Sequence, residues 1–306
     1  MDGLFNIYKE AGLTSFDVVS KIRKITNTKS VGHSGTLDPN ATGVLVVAVG
    51  RATKVIEYME NDDKIYNAEL KLGIETDTED IWGDVLKEND LKDYDLSFEK
   101  ISEVIKSFIG KQIQVPPMYS ALKVNGKKLY ELAREGKEIE RKGREIEIFD
   151  IYNIKMEEDK ISFTVHCSKG TYIRTLCKDI GERIGCGATM SKLERIKAGS
   201  FSSSTSVKLE DIKESPEKYI INLESVLEKF PIIELDEKEE KQYINGIKLK
   251  KDGKKDGLYR VYIGGKLYGI CTISNEIIKP CKKIFSVDFW QKLKYTFFVF
   301  VCFFFN

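Results

Sequence analysis

The sequence predicts an α+β fold: a mixed domain over residues 1–230 and a small β-rich module over residues 231–285. Two observations predict it. Along the first 230 residues, segments with apolar residues at helical spacing interleave with segments where they alternate or run unbroken, as in strands. After Phe230-Pro231 only short strand patterns remain.

Taken in order, Ser15 can cap a helix whose apolar stripe is Phe16, Val19, Ile22 and Ile25. Val44 to Val49 is a continuous apolar run closed by Gly50, which reads as a buried strand. Tyr66, Ala68, Leu70 and Leu72 alternate with polar partners up to Gly73, the pattern of a half-buried strand. Ser97 can cap a second helix with Phe98, Ile101, Val104, Ile105 and Phe108 on one face and Gly110 past its end. Ile161, Phe163, Val165 and Cys167 form another alternating strand. The chain then turns at Lys169-Gly170 into a helix carrying Ile173, Leu176, Cys177 and Ile180. In the C-terminal module, Leu258 to Ile263 and Leu267 to Ile273 flank Gly264-Gly265, a hairpin signal. No internal repeat is present.

Composition removes several chemistries. Charged residues make up 32% of the chain and hydrophobic ones 42%, which excludes collagenous and wholly disordered classes. The six cysteines are scattered with no C-x-x-C pair, a usage that fits a reducing cytosol. His33 and His166 are the two histidines, and neither stands in metal-ligand or triad spacing. No metal and no cofactor are expected, and the N-terminus has no signal-peptide pattern; the expected location is cytoplasmic. His166 lies on the strand face opposite Ile161, Phe163 and Val165 and is read as structural. Seven of the 16 Phe fall in the last eighteen residues, where Phe297 to Phe305 is an unbroken apolar run. That run is shorter than the roughly 20 residues a membrane-spanning helix needs, so residues 286–306 are read as an appended tail without function and no membrane partner is expected.

The formal net charge of +1 argues at first sight against a nucleic-acid partner. Its distribution argues otherwise: residues 61–100 carry −8, residues 106–144 carry +6 and residues 241–306 carry +9. Basic segments supply phosphate contacts whatever the overall balance.

One stretch carries the chemistry. Gly32-His33-Ser34-Gly35-Thr36-Leu37-Asp38-Pro39-Asn40-Ala41-Thr42-Gly43 is rich in Gly and small residues and precedes the buried strand. Such a loop lets a planar ligand approach the backbone. Pro39 biases Asp38 to an extended conformation and so fixes the direction of its carboxylate. Walker and Rossmann spacings are both absent.

This stretch, read as GHSGTLDPNATGVL with Gly50-Arg51-Ala52-Thr53-Lys54 behind it, resembles the signature of the TruB family of tRNA pseudouridine synthases. Further blocks agree in order and spacing. KEAGLTS (Lys9 to Ser15) resembles the family's N-terminal motif, with Glu10 where many members carry Pro. Lys64 to Gly73 with Thr76-Asp77-Thr78 resembles the block that holds the active-site tyrosine, here Tyr66. Pro116 to Lys123 resembles the RNA-contacting segment, Cys167 to Thr175 the motif that supplies an active-site arginine, here Arg174, and Gly187 to Arg195 the block that follows. The resemblance spans residues 3–230; the β-rich end is similar to the family's PUA-like module.

The resemblance implies a pseudouridine synthase fold, with a mixed, mainly antiparallel central sheet flanked by helices. It implies conversion of uridine to pseudouridine at position 55 in the T-loop of tRNA. Asp38 would be the covalent nucleophile, with attack at the ribose C1′ or the base C6 left open. Arg174 would favour the ionised carboxylate, and Tyr66 would stack on the uracil and help the C5 proton leave. The target nucleotide would be flipped out, with His33, Gly35, Thr36, Leu37 and Pro39 against the RNA. Tyr119, Ser120, Lys169 and Tyr172 would lie near it, and Lys123, Lys127, Lys128, Arg134, Arg141 and Arg144 would track phosphates. The expected partner is tRNA, gripped at its T-arm by an insertion at 124–146 and, through residues 231–285, at the acceptor stem. The chain is expected to act as a monomer without an obligate protein partner. Two alternatives stand beside this reading. An RNA-guided synthase shares the core, but the basic insertion favours the stand-alone form. A tRNA-folding chaperone with secondary catalysis is the other; a pure binder has no use for Asp38 in a basic cleft.

Overall fold

A computed structural model describes residues 1–285 except Asn61 and Asn125, so the reading of 286–306 as a tail lies outside the described residues. Nine strands form the main sheet. Its central order is Gly3–Lys9, Thr42–Val49, Ala188–Ala198, Lys64–Leu72, Lys160–Cys167, Arg144–Glu157 and Gly110–Gln114, with Val31–His33 added to the second and Phe201–Ser202 to the third. The pairings are antiparallel except one. Thr42–Val49 meets Ala188–Ala198 in parallel, at Thr42 with Glu194 and Gly43 with Arg195. The sheet is therefore mixed and mainly antiparallel, as expected.

Its two faces bury different partners. Three helices, Ser15–Thr26, Phe98–Lys106 and Ile173–Ile184, supply Val18, Val19, Ile22, Ile101, Ile105, Leu176 and Ile180. These pack against Ile7, Leu45, Val47, Leu70, Phe163 and Val165. The other face presents Leu4, Val44, Val46 and Ala48. It is covered by Ala52, Val55 and Met59 and by Leu267, Ile270, Ile284 and Phe285 of the C-terminal module. Residues 44–49 run apolar without alternation because both faces of that strand are buried. Each such side chain contributes roughly 1.5–3 kcal/mol by leaving water.

The C-terminal module is a five-stranded sheet in the order Ile232–Leu235, Gly257–Ile263, Lys266–Ser274, Ile277–Lys283 and Leu249–Lys250. The hairpin read at Gly264-Gly265 forms there, with both glycines at positive φ.

Two helix details differ from the sequence reading. Thr14, not Ser15, caps the first helix: its hydroxyl accepts from Asp17 N at 3.0 Å, and the Asp17 carboxylate accepts from Thr14 N at 2.9 Å, a reciprocal capping box. The buried arc centres on Ser15, Val18 and Ile22, which leaves Phe16 66% exposed. The Phe98–Lys106 helix starts after Ser97 as expected but stops before Gly110, which opens the next strand.

Among the described residues no helix is long and apolar enough to cross a membrane.

Candidate active site

The Asp38 loop is gripped by three buried side chains, Lys9 and Ser15 from one stretch before it and Arg195 from far behind it in the sequence. Ser15, freed from capping, accepts from Leu37 N at 2.9 Å and donates to Leu37 O at 3.2 Å. Lys9 is fully buried; its ammonium donates to the carbonyls of Glu10, Leu13 and Pro39 at 3.0, 2.7 and 2.9 Å. Burial pushes its pKa down to about 8, against the pull of Asp38. Arg195, 3% exposed, donates from Nε to Val44 O at 2.7 Å, from Nη1 to Thr36 O at 3.3 Å and from Nη2 to Gly35 O at 3.0 Å. Gly43 permits this seat. Its φ is +101°, and a Cβ there would lie 2.2 Å from the Arg195 carbonyl oxygen.

Asp38 itself meets Arg174 at two points, Nε to Oδ2 at 2.9 Å and Nη2 to Oδ1 at 3.3 Å. Arg174 sits on the first turn of the Ile173–Ile184 helix and is 5% exposed. Its remaining donors reach Thr78 O at 2.9 Å and Tyr119 O at 2.7 Å. A buried guanidinium with so many partners is a fixed element, and the fork geometry aligns the carboxylate. The Asp38 side chain keeps 34% of its surface exposed, so its outer edge stays open to a substrate.

Tyr66 stands opposite Arg195 across the sheet and is buried. Burial pushes its phenol pKa up, and the Arg195 guanidinium acts the other way, so it stays protonated at neutral pH. Burial, with Arg195 adding to it, lowers the pKa of His33; its Nδ1 accepts from Gly35 N at 3.3 Å, which leaves the proton on Nε2. Asp80 follows Thr78 and Glu79 in the loop that receives Arg174, and burial raises its pKa, opposed by Thr78 and Arg174. The Tyr119 hydroxyl donates to Asp77 Oδ2 at 3.2 Å.

Asp38, Tyr66, Arg174, His33, Gly35, Thr36, Leu37, Pro39 and Tyr119 thus converge on one locus. Ser120 is buried beside it, its hydroxyl without a hydrogen-bond partner among the described residues. The backbone of Tyr172 is clasped by the buried Gln114 side chain at 2.8 and 3.0 Å, and Lys169 is exposed on the turn before it. Arg144 lies against that turn at Gly170. The other cations lie on the 123–143 segment, a two-stranded hairpin and the helix Leu129–Arg134. There Lys127 pairs with Glu135 at 3.6 Å, Arg141 with Glu138 at 3.1 Å, and Lys128 and Arg134 flank the Tyr130 ring; Lys123 is exposed. A cleft of about 450 Å³ opens over the sheet beside the loop, between Asn40, Thr42, Trp82, Leu193 and Glu194.

From sequence Ser15 was read only as a helix cap, and Lys9, Asp80 and Arg195 were assigned no role. Lys9, Ser15 and Arg195 end or begin motif blocks, which was the available signal. His166 pairs through Nε2 with Asp63 and packs on the Phe149 ring, away from the Asp38 loop. Cys167 and Cys177 are buried, and burial pushes their thiols up, Cys167 to about 12. No cluster of His, Cys, Asp or Glu suited to a metal ion occurs among the described residues.

Residues 23–173 match the model of the TruB family pseudouridylate synthase N-terminal domain, and residues 174–231 match that of the tRNA pseudouridylate synthase B C-terminal domain. The chain belongs to the TruB family. It is 48% identical over 292 residues to tRNA pseudouridine synthase B of Clostridium acetobutylicum, covering 92% of this chain and 99% of that one. Identity to the Clostridium kluyveri protein of the same name is 50% over 277 residues, covering 88% and 95%. Among solved structures, a Cbf5-Nop10-Gar1 complex matches with a TM-score of 0.71 and 26% identity, over 94% of this chain and 86% of that one. An H/ACA RNP bound to a substrate RNA matches at 0.70 and 25%, over 94% and 86%. The near-full-length bacterial relatives put this TruB-family chain with the stand-alone type, and its activity is conversion of uridine to pseudouridine in tRNA.

Proposed function

We propose that the chain modifies the T-loop uridine at position 55 of tRNA, with Asp38 as nucleophile and the target nucleotide flipped out. The observation that carries this is the two-point contact between Asp38 and the buried Arg174, in a loop seated by Lys9, Ser15 and Arg195. The carboxylate is held in one direction with an open outer edge, as covalent catalysis needs. It adds to the ribose C1′ or the base C6 and the C1′–N1 bond breaks; the detached uracil turns and C5 bonds to C1′, the bond to Asp38 breaks, and the proton lost from C5 is balanced by the one N1 takes up. Tyr66, buried beside Arg195, stacks on the uracil and assists that departure. Lys123, Lys127, Lys128, Arg134, Arg141, Arg144 and Lys169 take phosphates of the T-arm, with His33, Ser120 and Tyr172 near the extruded nucleotide. The module at 231–285 reaches the acceptor stem, and the chain works in the cytoplasm as a monomer without a partner protein.

The test is chemical mapping of pseudouridine in a tRNA transcript incubated with the purified protein and with Asp38→Asn. The wild type is expected to modify position 55, and the variant to bind RNA but form no pseudouridine. Substantial turnover by Asp38→Asn would remove Asp38 as nucleophile.

A further inference from the structure

The loop that receives Arg174 is tied to the helix that carries it by a side chain outside the machinery described so far. Glu79 lies between Thr78, whose carbonyl accepts from Arg174, and Asp80. It has a left-handed backbone, φ +60°, which a non-glycine residue rarely adopts unless its surroundings impose it. The surroundings do. Its carbonyl accepts from Met190 N at 3.2 Å and Ile81 N donates to Met190 O at 2.8 Å, which joins the loop to the sheet. Its side chain, 11% exposed, turns the other way and meets the helix: Oε2 accepts from Thr175 Oγ1 at 2.6 Å, and Oε1 lies 3.5 Å from Lys178 Nζ. Thr175 is the residue after Arg174, and Lys178 stands one turn further along.

We propose that Glu79 is a positioning residue for the reaction, locking the loop onto the helix so that the Thr78 carbonyl and the Asp38 carboxylate hold one Arg174 guanidinium. This rests on the assignment of Asp38 and Arg174 as catalytic. The geometry explains why a carboxylate is useful here. A bond to Thr175 and an ion pair to Lys178 fix the loop along the helix at two places, and the left-handed turn delivers the Thr78 carbonyl to Nη1. Without that link the loop remains joined to the sheet through Met190, but its register on the helix is free. Arg174 is then deprived of a fixed acceptor and of its angle to Asp38.

The experiment measures single-turnover pseudouridine formation at saturating tRNA transcript, transcript affinity and thermal unfolding for Glu79→Ala, Glu79→Gln, Thr175→Val and the Ala/Val double variant. Asp38→Asn is run beside them. Displacements on the ångström scale at a reacting group cost up to a hundredfold, so Glu79→Ala is expected to slow the saturated rate by on the order of tenfold or more. Its affinity for the transcript should stay within about twofold, since no RNA contact is removed. Glu79→Gln keeps an acceptor for Thr175 and should recover most of the rate. Thr175→Val should be slow, and the double variant no slower than the slower single one, because both remove one link. A wild-type rate in Glu79→Ala, a defect confined to affinity, or additive losses in the double variant would overturn the proposal. If Glu79→Ala does not fold, Glu79→Gln and Thr175→Val decide it: wild-type turnover in a folded Thr175→Val rejects the link. Turnover by Asp38→Asn would instead reject the underlying site.

Discussion

At the scale of single residues, the site depends on buried cations as much as on the half-buried carboxylate. Arg174 aims Asp38, Arg195 seats Gly35 and Thr36, and Lys9 holds Pro39. The loop that presents Asp38 was legible in the sequence because its Gly and small residues form a local pattern, whereas the role proposed for Asp38 came with the family resemblance. Lys9 and Arg195 were not legible, since their work depends on neighbours 30 and about 160 positions away. Lys9 also makes a pH prediction. An unfolded lysine keeps its proton to about 10.5, whereas burial makes folded Lys9 release it from about 8. Between those values the unfolded state binds more protons, so this group's contribution to stability rises with pH; below the window the cost of the buried charge is carried in full. Urea unfolding of the wild type and Lys9→Met at about pH 7.5 and 9.5 should show the wild type gaining on the variant at the higher pH. A constant difference would mean that Lys9 keeps its proton.

At the scale of elements, the strands at 44–49, 66–72 and 161–167 and the three main helices are where periodicity places them. The cap at Thr14 was missed because two adjacent hydroxyl residues both suit a helix start, and only the fold shows that Ser15 is drawn inward to Leu37. The parallel pairing of Thr42–Val49 with Ala188–Ala198 was also hidden. Alternation tells which face a residue takes, never which strand lies beside it, and this pairing spans two residue pairs. Gly43 is its sensitive point. Gly43→Ala would need a side chain at φ +101° and within 2.2 Å of a carbonyl oxygen. The strain alone costs about 1–3 kcal/mol, so thermal unfolding should move down, and the single-turnover rate measured well below the midpoint should fall too. A full rate in a destabilised variant would show that the Asp38 loop does not depend on this close approach.

At the scale of the whole molecule, the C-terminal module has a structural task that charge distribution does not reveal. Phe285, Ile284, Leu267 and Ile270 cover the sheet face presented by Leu4, Val44 and Val46. Arg51 lies over the Phe285 ring, and Lys282 pairs with Glu57 at 2.7 Å. Deleting residues 231–306 would strip an apolar face beneath the catalytic sheet, so loss of RNA binding in such a truncation would be ambiguous. Charge reversal at the exposed Lys248, Lys254 and Lys255 is cleaner. It should weaken tRNA binding and lower the slope of log affinity against log salt by about one for each phosphate no longer neutralised, with the saturated rate retained. Unchanged affinity and slope would remove these lysines from the RNA surface.

The parallel pairing has a consequence in time. The boundary between the two matched family segments falls between residues 173 and 174, immediately before Arg174. Asp38 waits for a partner 136 positions later, and Thr36 for one 159 positions later. As the chain leaves the ribosome Asp38 emerges early and stays unaimed until most of the sheet has been synthesised. The enzyme is therefore assembled late in its own translation, and a fragment ending before the Ala188–Ala198 strand should hold the motif without its chemistry.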